Sequence, residues 1–396
     1  MAGEIDTAQG PRTRIVPAPL SAAEAVAPLA ERLAAQTERD RALPAELVDA
    51  LRDAGLFAMC LPRALGGGEA EPAHMALALE RLARADGAAA WCAMIASTSS
   101  LLGAYLPPAA AERVFAGGRS IAGGVFAPRG RAQRLAGGYR VSGRWSFVSG
   151  IGHCDWVLGG CIVGDGGDKP PDGPPETRLL LMPKDHVTVI DTWSVAGLCG
   201  TGSHDMEVDD ELVPAALAPS PAGEAPLHDG PLYAFPMFGL LALGIAAVSL
   251  GIARGALDDL ADLAGAKTPA ASSRTLAQRP AVQADVARAE AALRSARAFL
   301  LDEARAAYDA AVHDGPISTE HRLALRLAAT HATRSAAHVV DVAYETGGGT
   351  SIYETSTLQR RFRDVHVATQ HMMVSPASFE LTGRLLLGVP SDISQL

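Results

Sequence analysis

His371 closes the segment RRFRDVHVATQH, and imidazole, with an ordinary pKa of about 6.5, takes or gives a proton near neutral pH. Beside a substrate hydroxyl such a group can act as a general base, a contribution typically worth ~100- to 10,000-fold in rate. Taken alone, a histidine here is more often a helix-end hydrogen-bonding residue. Trp145 and Phe147 stand two apart in GRWSFVSG and so share one face of a strand, which Ser149 follows with a hydroxyl that both donates and accepts. By themselves these read equally well as a buried aromatic strand closing on a turn. Trp91 precedes the hydroxyl run Ser97, Thr98, Ser99 and Ser100, polar side chains without an imidazole among them.

Gly347, Gly348 and Gly349, with Thr350 and Ser351, let backbone amides approach a ligand or its phosphate, and a helix C-cap explains the same glycines. Lys267 and Arg274 are cations in a loop-like stretch, and a guanidinium there can clamp a phosphate bidentately. His366 precedes His371 by five residues, off the spacing of a two-histidine metal site on one helix face, and reads as structural. His153 and Asp155 in GHCDW invite a dyad, but the folding role is favoured by strand geometry. The cysteines Cys60, Cys92, Cys154, Cys161 and Cys199 form an odd set without a CxxC pair, which fits neither a disulfide framework nor zinc. No metal and a reducing cytoplasm are the expectations.

The elements that must position these residues fall into three blocks. Residues 20–115 are rich in Ala, Leu, Glu and Arg and read as helices: SAAEAVAPLAERLAAQTERD, LPAELVDALRDAGLF opening on Pro44, and one long alanine-rich stretch. From about Gly117, GYRVSGRWSFVSG, WVLGGCIV, TRLLLMP, VTVIDTW and HDMEVDDELVP are short, β-branched or alternating, and read as strands, with GDGGDKPPDGPPE as a solvated loop. After about Ala234 helix returns. Val282, Val286, Ala289, Leu293, Ala296 and Leu300 recur at helical spacing, the buried stripe of a long packed helix.

Segregated helices, strands and helices imply an α+β architecture, and no GxGxxG turn marks a nicotinamide-binding domain. With 48% apolar residues over 396 positions the chain can bury a large core, while a net charge of -10 and a pI near 5.6 exclude a polyanion partner such as nucleic acid. The N-terminus has no apolar signal region and reads as a flexible lead-in. Residues 232–253 carry no charge, but Pro236, Gly239, Gly244 and Gly251 interrupt them, so a buried bundle helix is expected and no membrane.

Four stretches, in this order, resemble the acyl-CoA dehydrogenase family: LPAELVDALRDAGLFAMCLPRALGG, GRWSFVSGIGHCDWVLGG, VAGLCGTGSHDMEVDDELVP and LQRRFRDVHVATQH. The resemblance covers nearly the whole chain. It implies a flexible lead-in over 1–18, an N-terminal helical domain over 19–118, a central β-barrel domain over 119–230 and a C-terminal four-helix bundle over 231–396. Departures bring the chain closer to the reduced-flavin-dependent oxygenase components of two-component (group D) hydroxylases. At the two places where a dehydrogenase carries its glutamate base, this chain has Met372 and Leu241, neither of which takes a proton. The TEPxxGSD motif is replaced by GGVFAPRGRA, and the RxxFG motif by AGAKTPAASSRTLAQ.

The resemblance implies a monooxygenase that receives reduced FMN from a separate flavin reductase, with FAD as the other choice. Through a C4a-hydroperoxyflavin it would hydroxylate an aromatic, phenolic substrate. It places Phe126, Trp145, Phe147, Ser149, Arg274, Gly348, Gly349 and Thr350 against the flavin, and Trp91, Ser99 and His371 against the substrate. Catalysis would fall to His371, as base toward the phenol, and to Ser149, near N5 and C4a. Because the stretch beyond Trp91, where some relatives carry a second histidine, offers Ser97, Thr98, Ser99 and Ser100 and no imidazole, N- or S-oxygenation of an amine, amino sugar or sulfur heterocycle stays open. So do an acyl-CoA dehydrogenase with an unrecognised base and a non-catalytic ligand-binding scaffold. A homotetramer is expected, with C-terminal helices of neighbours completing each site.

Overall fold

The computed structural model describes residues 17–164, 175–221, 223–270, 272–394 and 396. Residues 1–16 of the lead-in expected over 1–18, and most of the GDGGDKPPDGPPE loop, lie outside the described residues.

The first block holds α1 (Pro19–Asp40), α2 (Ala45–Asp53), α3 (Pro72–Ala85), α4 (Gly87–Ser100) and α5 (Pro108–Phe115). The alanine-rich stretch expected as one helix is two. Asp86 leaves helical geometry (φ -148°, ψ 120°), and its carboxylate accepts the Ala89 amide at 2.8 Å, capping α4. That break turns α4 into the interior, where all 14 of its residues are buried. A helix apolar on every side can sit only at the centre of a fold.

The sheet consists of β1 (Ala122–Leu135), β2 (Gly138–Trp145), β3 (Trp156–Gly164), β4 (Thr177–Pro183), β5 (Thr188–Ile190) and β6 (Asp205–Pro214). Their spatial order is β4-β3-β1-β2-β6-β5, antiparallel except for the parallel β1–β3 pair. Among the described residues β4 and β5 are the sheet's edges, so the expected barrel is a half-barrel that does not close. Its longest strand, β1, is absent from the sequence reading. Gly123, Gly124, Pro128 and Gly130 hide it, and the β1–β3 register slips at bulges between Val125 and Pro128 and between Pro128 and Gly130.

The final block begins with the short α6 (Pro231–Ala234), followed by α7 (Met237–Ala266), α8 (Pro280–Asp314), α9 (Thr319–Gly347), α10 (Thr357–Ala368) and α11 (Pro376–Leu386). α7 is the uncharged segment, long and apolar enough to cross a membrane by composition, and here 94% of its most apolar window is buried inside the fold. It packs against α3, α4, α9 and α10. α8 buries Val282, Ala289, Leu293, Ala296 and Leu300, the stripe its spacing predicts, with Val286 half-buried.

Candidate active site

Ser149 lies just beyond β2, where the chain leaves the sheet. Phe147 takes a positive φ of 69°, strained for a non-glycine residue, and so throws its ring to the opposite side from the strand pattern. The result separates two residues expected to share a face. Trp145 is fully buried, its indole N–H donates to the Gly160 carbonyl at 2.8 Å, and a Cβ on Gly130 or Gly159 would meet its ring at 2.1 and 2.6 Å. It is a core residue of the sheet, and the expectation that it walls a flavin is corrected. Phe147 instead leaves 72% of its surface exposed and meets Trp193 edge-on at 6.2 Å.

Past the turn, Ser149 is buried and joins a line of polar groups. The Trp91 indole N–H donates to Ser149 Oγ at 3.1 Å. Ser149 Oγ lies 2.8 Å from Ser203 Oγ, which lies 2.7 Å from Thr201 Oγ1. Thr201 Oγ1 in turn donates to the Leu198 carbonyl at 2.8 Å. Leu198, itself at a positive φ of 50°, gives its amide to Asp364 Oδ1 on α10 at 2.6 Å. Burial pushes the Asp364 carboxyl up to about 7. Residue 197 can only be glycine here, since a Cβ would lie 2.4 Å from the Arg363 backbone.

His371 approaches the same point from the other side. α10 ends at Ala368, and His371 caps the following turn, its Nδ1 accepting the Met373 amide at 3.2 Å. Its ring centroid lies 6.0 Å from that of Trp91. Burial, helped by the guanidinium of Arg326 on α9, lowers the imidazole pKa to about 4. The ring is therefore neutral at pH 7 and, with Nδ1 accepting, carries its hydrogen on Nε2. In this arrangement the free edge of His371 presents a donor, where the sequence leads one to expect a general base.

Trp91, Ser149 and His371 thus converge. Ser99 lies two turns along α4 from Trp91, wholly buried, its hydroxyl without a hydrogen-bond partner. Phe126 does not join them. It lines a cavity of about 720 Å³ with Tyr105, Tyr233 and Phe238, whose walls include none of the three. Gly348, Gly349 and Thr350 form a second group, to which Lys267, from the same loop as Arg274, is tied by donating its Nζ to the Gly347 carbonyl at 2.6 Å. Gly347 touches Leu358 at the start of α10, while His371 follows its end, so the groups stand on the order of 20 Å apart by helical rise.

Other residues have structural work. His366 pairs with Asp341 at 2.8 Å and packs on Phe362; Asp155 accepts the Ile121 amide at 2.8 Å. Thr201, Ser203, Arg326 and the role of Asp364 were missed. The alternating hydroxyls in GTGSH are their only trace in the sequence, and such alternation is common in turns.

The model of the acyl-CoA dehydrogenase N-terminal domain matches residues 21–110, and that of the C-terminal domain matches residues 243–376. The indole-3-acetate monooxygenase of Pseudomonas putida is 35% identical over 353 residues, 89% of each chain. The chain belongs to the flavin-dependent monooxygenase branch of the acyl-CoA dehydrogenase family. Within that branch, the FADH2-dependent resorcinol hydroxylase oxygenase component of a Rhizobium species is 30% identical over 92% of each chain. The crystal structure of 3-HSA hydroxylase from Rhodococcus sp. RHA1 superposes with a TM-score of 0.88 at 26% identity, covering 97% of this chain and 100% of that one.

The residues of this monooxygenase fit a flavin ring. Phe147 offers an open apolar face two residues from Ser149, and Ser99 brings a buried hydroxyl that no protein group satisfies. Reduced flavin supplies the two electrons with which O2 is activated. Around such a ring the protein would set a dry wall, the hydroxyl of Ser149 and the neutral imidazole of His371.

Proposed function

We propose that this monooxygenase hydroxylates an aromatic ring of the phenol type, drawing its reduced flavin from a separate reductase. The observation that carries the reading is the convergence of Trp91, Ser149 and a neutral His371 from three elements. Trp91 gives an aromatic flank, and the Nε2–H of His371 gives a donor that holds a phenolic oxygen and orients its ring. Burial keeps water away, so these polar contacts are stronger than in solvent. The names of two relatives, an indole-3-acetate monooxygenase and a resorcinol hydroxylase, support an aromatic substrate.

Ser149 and Phe147 would hold the ring of the flavin, and Arg274 with Gly348, Gly349 and Thr350 its phosphate end. The span between the groups supports completion of each site by a neighbouring subunit. Exposed Ile352, Tyr353, Leu386 and Leu387, each 65–83% accessible, support burial of this C-terminal region in a homotetramer. The domain division at 118/119 and 230/231 follows the change from helix to strand and back. A cytoplasmic setting accords with five free thiols.

The test is anaerobic loading with reduced FMN or reduced FAD, followed by oxygen and a panel of phenols, indoles, amines and thioethers, with products analysed by mass and position of oxygen. A ring-hydroxylated phenol or indole is expected. Oxygen found only on nitrogen or sulfur would replace the proposed substrate class. Bleaching of bound oxidised FAD by an acyl-CoA, with no oxygenated product, would return the chain to dehydrogenase chemistry.

A further inference from the structure

The line of hydroxyls behind Ser149 has a direction. At one end the Trp91 indole nitrogen can only donate, and at the other the Leu198 carbonyl can only accept. Each hydroxyl between them owns a single hydrogen. Thr201 spends its hydrogen on the Leu198 carbonyl, so the 2.7 Å contact between Thr201 and Ser203 takes its hydrogen from Ser203. Ser203 then has none left, so the 2.8 Å contact between Ser149 and Ser203 takes its hydrogen from Ser149. Ser149 is left with one unused lone pair, since Trp91 occupies the other. Toward a ligand, Ser149 accepts.

Reversing the order would free the Ser149 hydrogen but leave Thr201 Oγ1 facing the Leu198 carbonyl without a hydrogen between them, which costs one buried hydrogen bond. Leu198 cannot turn to relieve this. Its amide is held by Asp364, and its carbonyl also accepts the Trp193 indole N–H at 3.2 Å.

A reduced isoalloxazine carries a hydrogen on N5, whereas the oxidised ring presents a bare N5 lone pair. An acceptor-only hydroxyl suits the first and repels the second. We propose that Thr201 and Ser203 are positioning residues that give this monooxygenase its preference for reduced over oxidised flavin, by fixing Ser149 as an acceptor. The inference rests on the reading of Ser149 as a flavin-side residue. It explains how a protein that receives flavin from solution takes the reduced form and lets the spent form go.

The experiment is equilibrium binding, without turnover, of oxidised FMN and FAD in air and of the reduced forms anaerobically, using the full chain. In Ser203→Ala the Ser149 hydrogen is unclaimed and can turn to an oxidised ring. In Thr201→Val the hydrogen of Ser203 passes to Ser149, with the same consequence. Both variants are expected to lower the ratio of oxidised to reduced Kd by about 3- to 10-fold, the worth of one hydrogen bond. Thr201→Ser, which keeps the line intact, restores the wild-type ratio. If Ser149→Ala leaves both affinities unchanged, the flavin-side reading itself fails. If Ser149→Ala shifts the ratio while Ser203→Ala and Thr201→Val leave it as in the wild type, the relay is overturned and the reading of Ser149 survives. Should Thr201→Val not fold, Ser203→Ala decides alone.

Discussion

Asp364 on α10 accepts the amide of Leu198 at 2.6 Å, and this bond joins the helix that leads to His371 with the loop that backs Ser149. The two sides of the site come from residues more than 160 positions apart, and they are held in one unit by a carboxylate that touches neither.

Removing that carboxylate leaves the Leu198 amide buried without an acceptor, so Asp364→Ala is expected to cost ~1–3 kcal/mol of stability. Asp364→Asn keeps an acceptor oxygen and should lose less. The folded pKa of about 7 lies above the ordinary value of 3.8, so the unfolded chain ionises first as pH rises. Wild-type stability attributable to this group therefore declines between pH 3.8 and 7 and is level above. Denaturant titrations of wild type and Asp364→Asn across that range check it: the asparagine variant should gain on the wild type as pH rises.

The histidines have the opposite sign. Burial lowers both His371 and His153 to about 4 from 6.5, so below pH 6.5 the unfolded chain binds protons that the folded chain refuses. Stability that is fully present above pH 6.5 is lost as pH falls toward 4. His371→Gln and His153→Gln should each flatten the acid limb of a Tm-against-pH curve.

His371→Ala removes the Nε2 donor, and product formation is expected to fall on the order of 100-fold, the usual effect of losing one oriented donor. With its pKa of about 4 the imidazole is neutral throughout this range, so the loss should be nearly constant from pH 6 to 9. A base of pKa 6–7 would instead show as an inflection in the wild-type kcat/KM profile.

Trp145 and Phe147 separate core from ligand surface. Trp145→Ala empties a fully buried site and should cost ~3–5 kcal/mol. Phe147→Ala, at an exposed and strained position, should leave Tm nearly unchanged while weakening flavin affinity. Thermal melts and flavin titrations of the same two proteins test both statements; equal loss of flavin affinity at constant Tm in the two would restore Trp145 to the flavin wall.

Helical spacing in α8, the uncharged run of α7 and the period-two strands around GYRVSGRW were legible because local periodicity follows from which face meets the core. β1 was not, since Pro128 and Gly130 stand at register shifts that exist only against β3. Trp91, Ser149 and His371 were legible through their motifs. Their partners Thr201 and Ser203 were not, because a hydroxyl in a glycine-rich turn looks the same whether it faces water or another hydroxyl.

By itself the sequence determined the order of helical and strand blocks, the absence of a proton acceptor at Met372 and Leu241, and an imidazole at position 371. Residue type and periodicity are properties of the chain and need no partner to read. Only the tertiary structure decided that Phe147 turns out while Trp145 turns in, that the Met373 amide takes Nδ1 of His371, and that Ser203 and Thr201 stand behind Ser149. These depend on backbone sign at one residue and on which atom of a distant residue already holds each hydrogen. Such facts arise only when segments far apart in the chain are brought within hydrogen-bond distance.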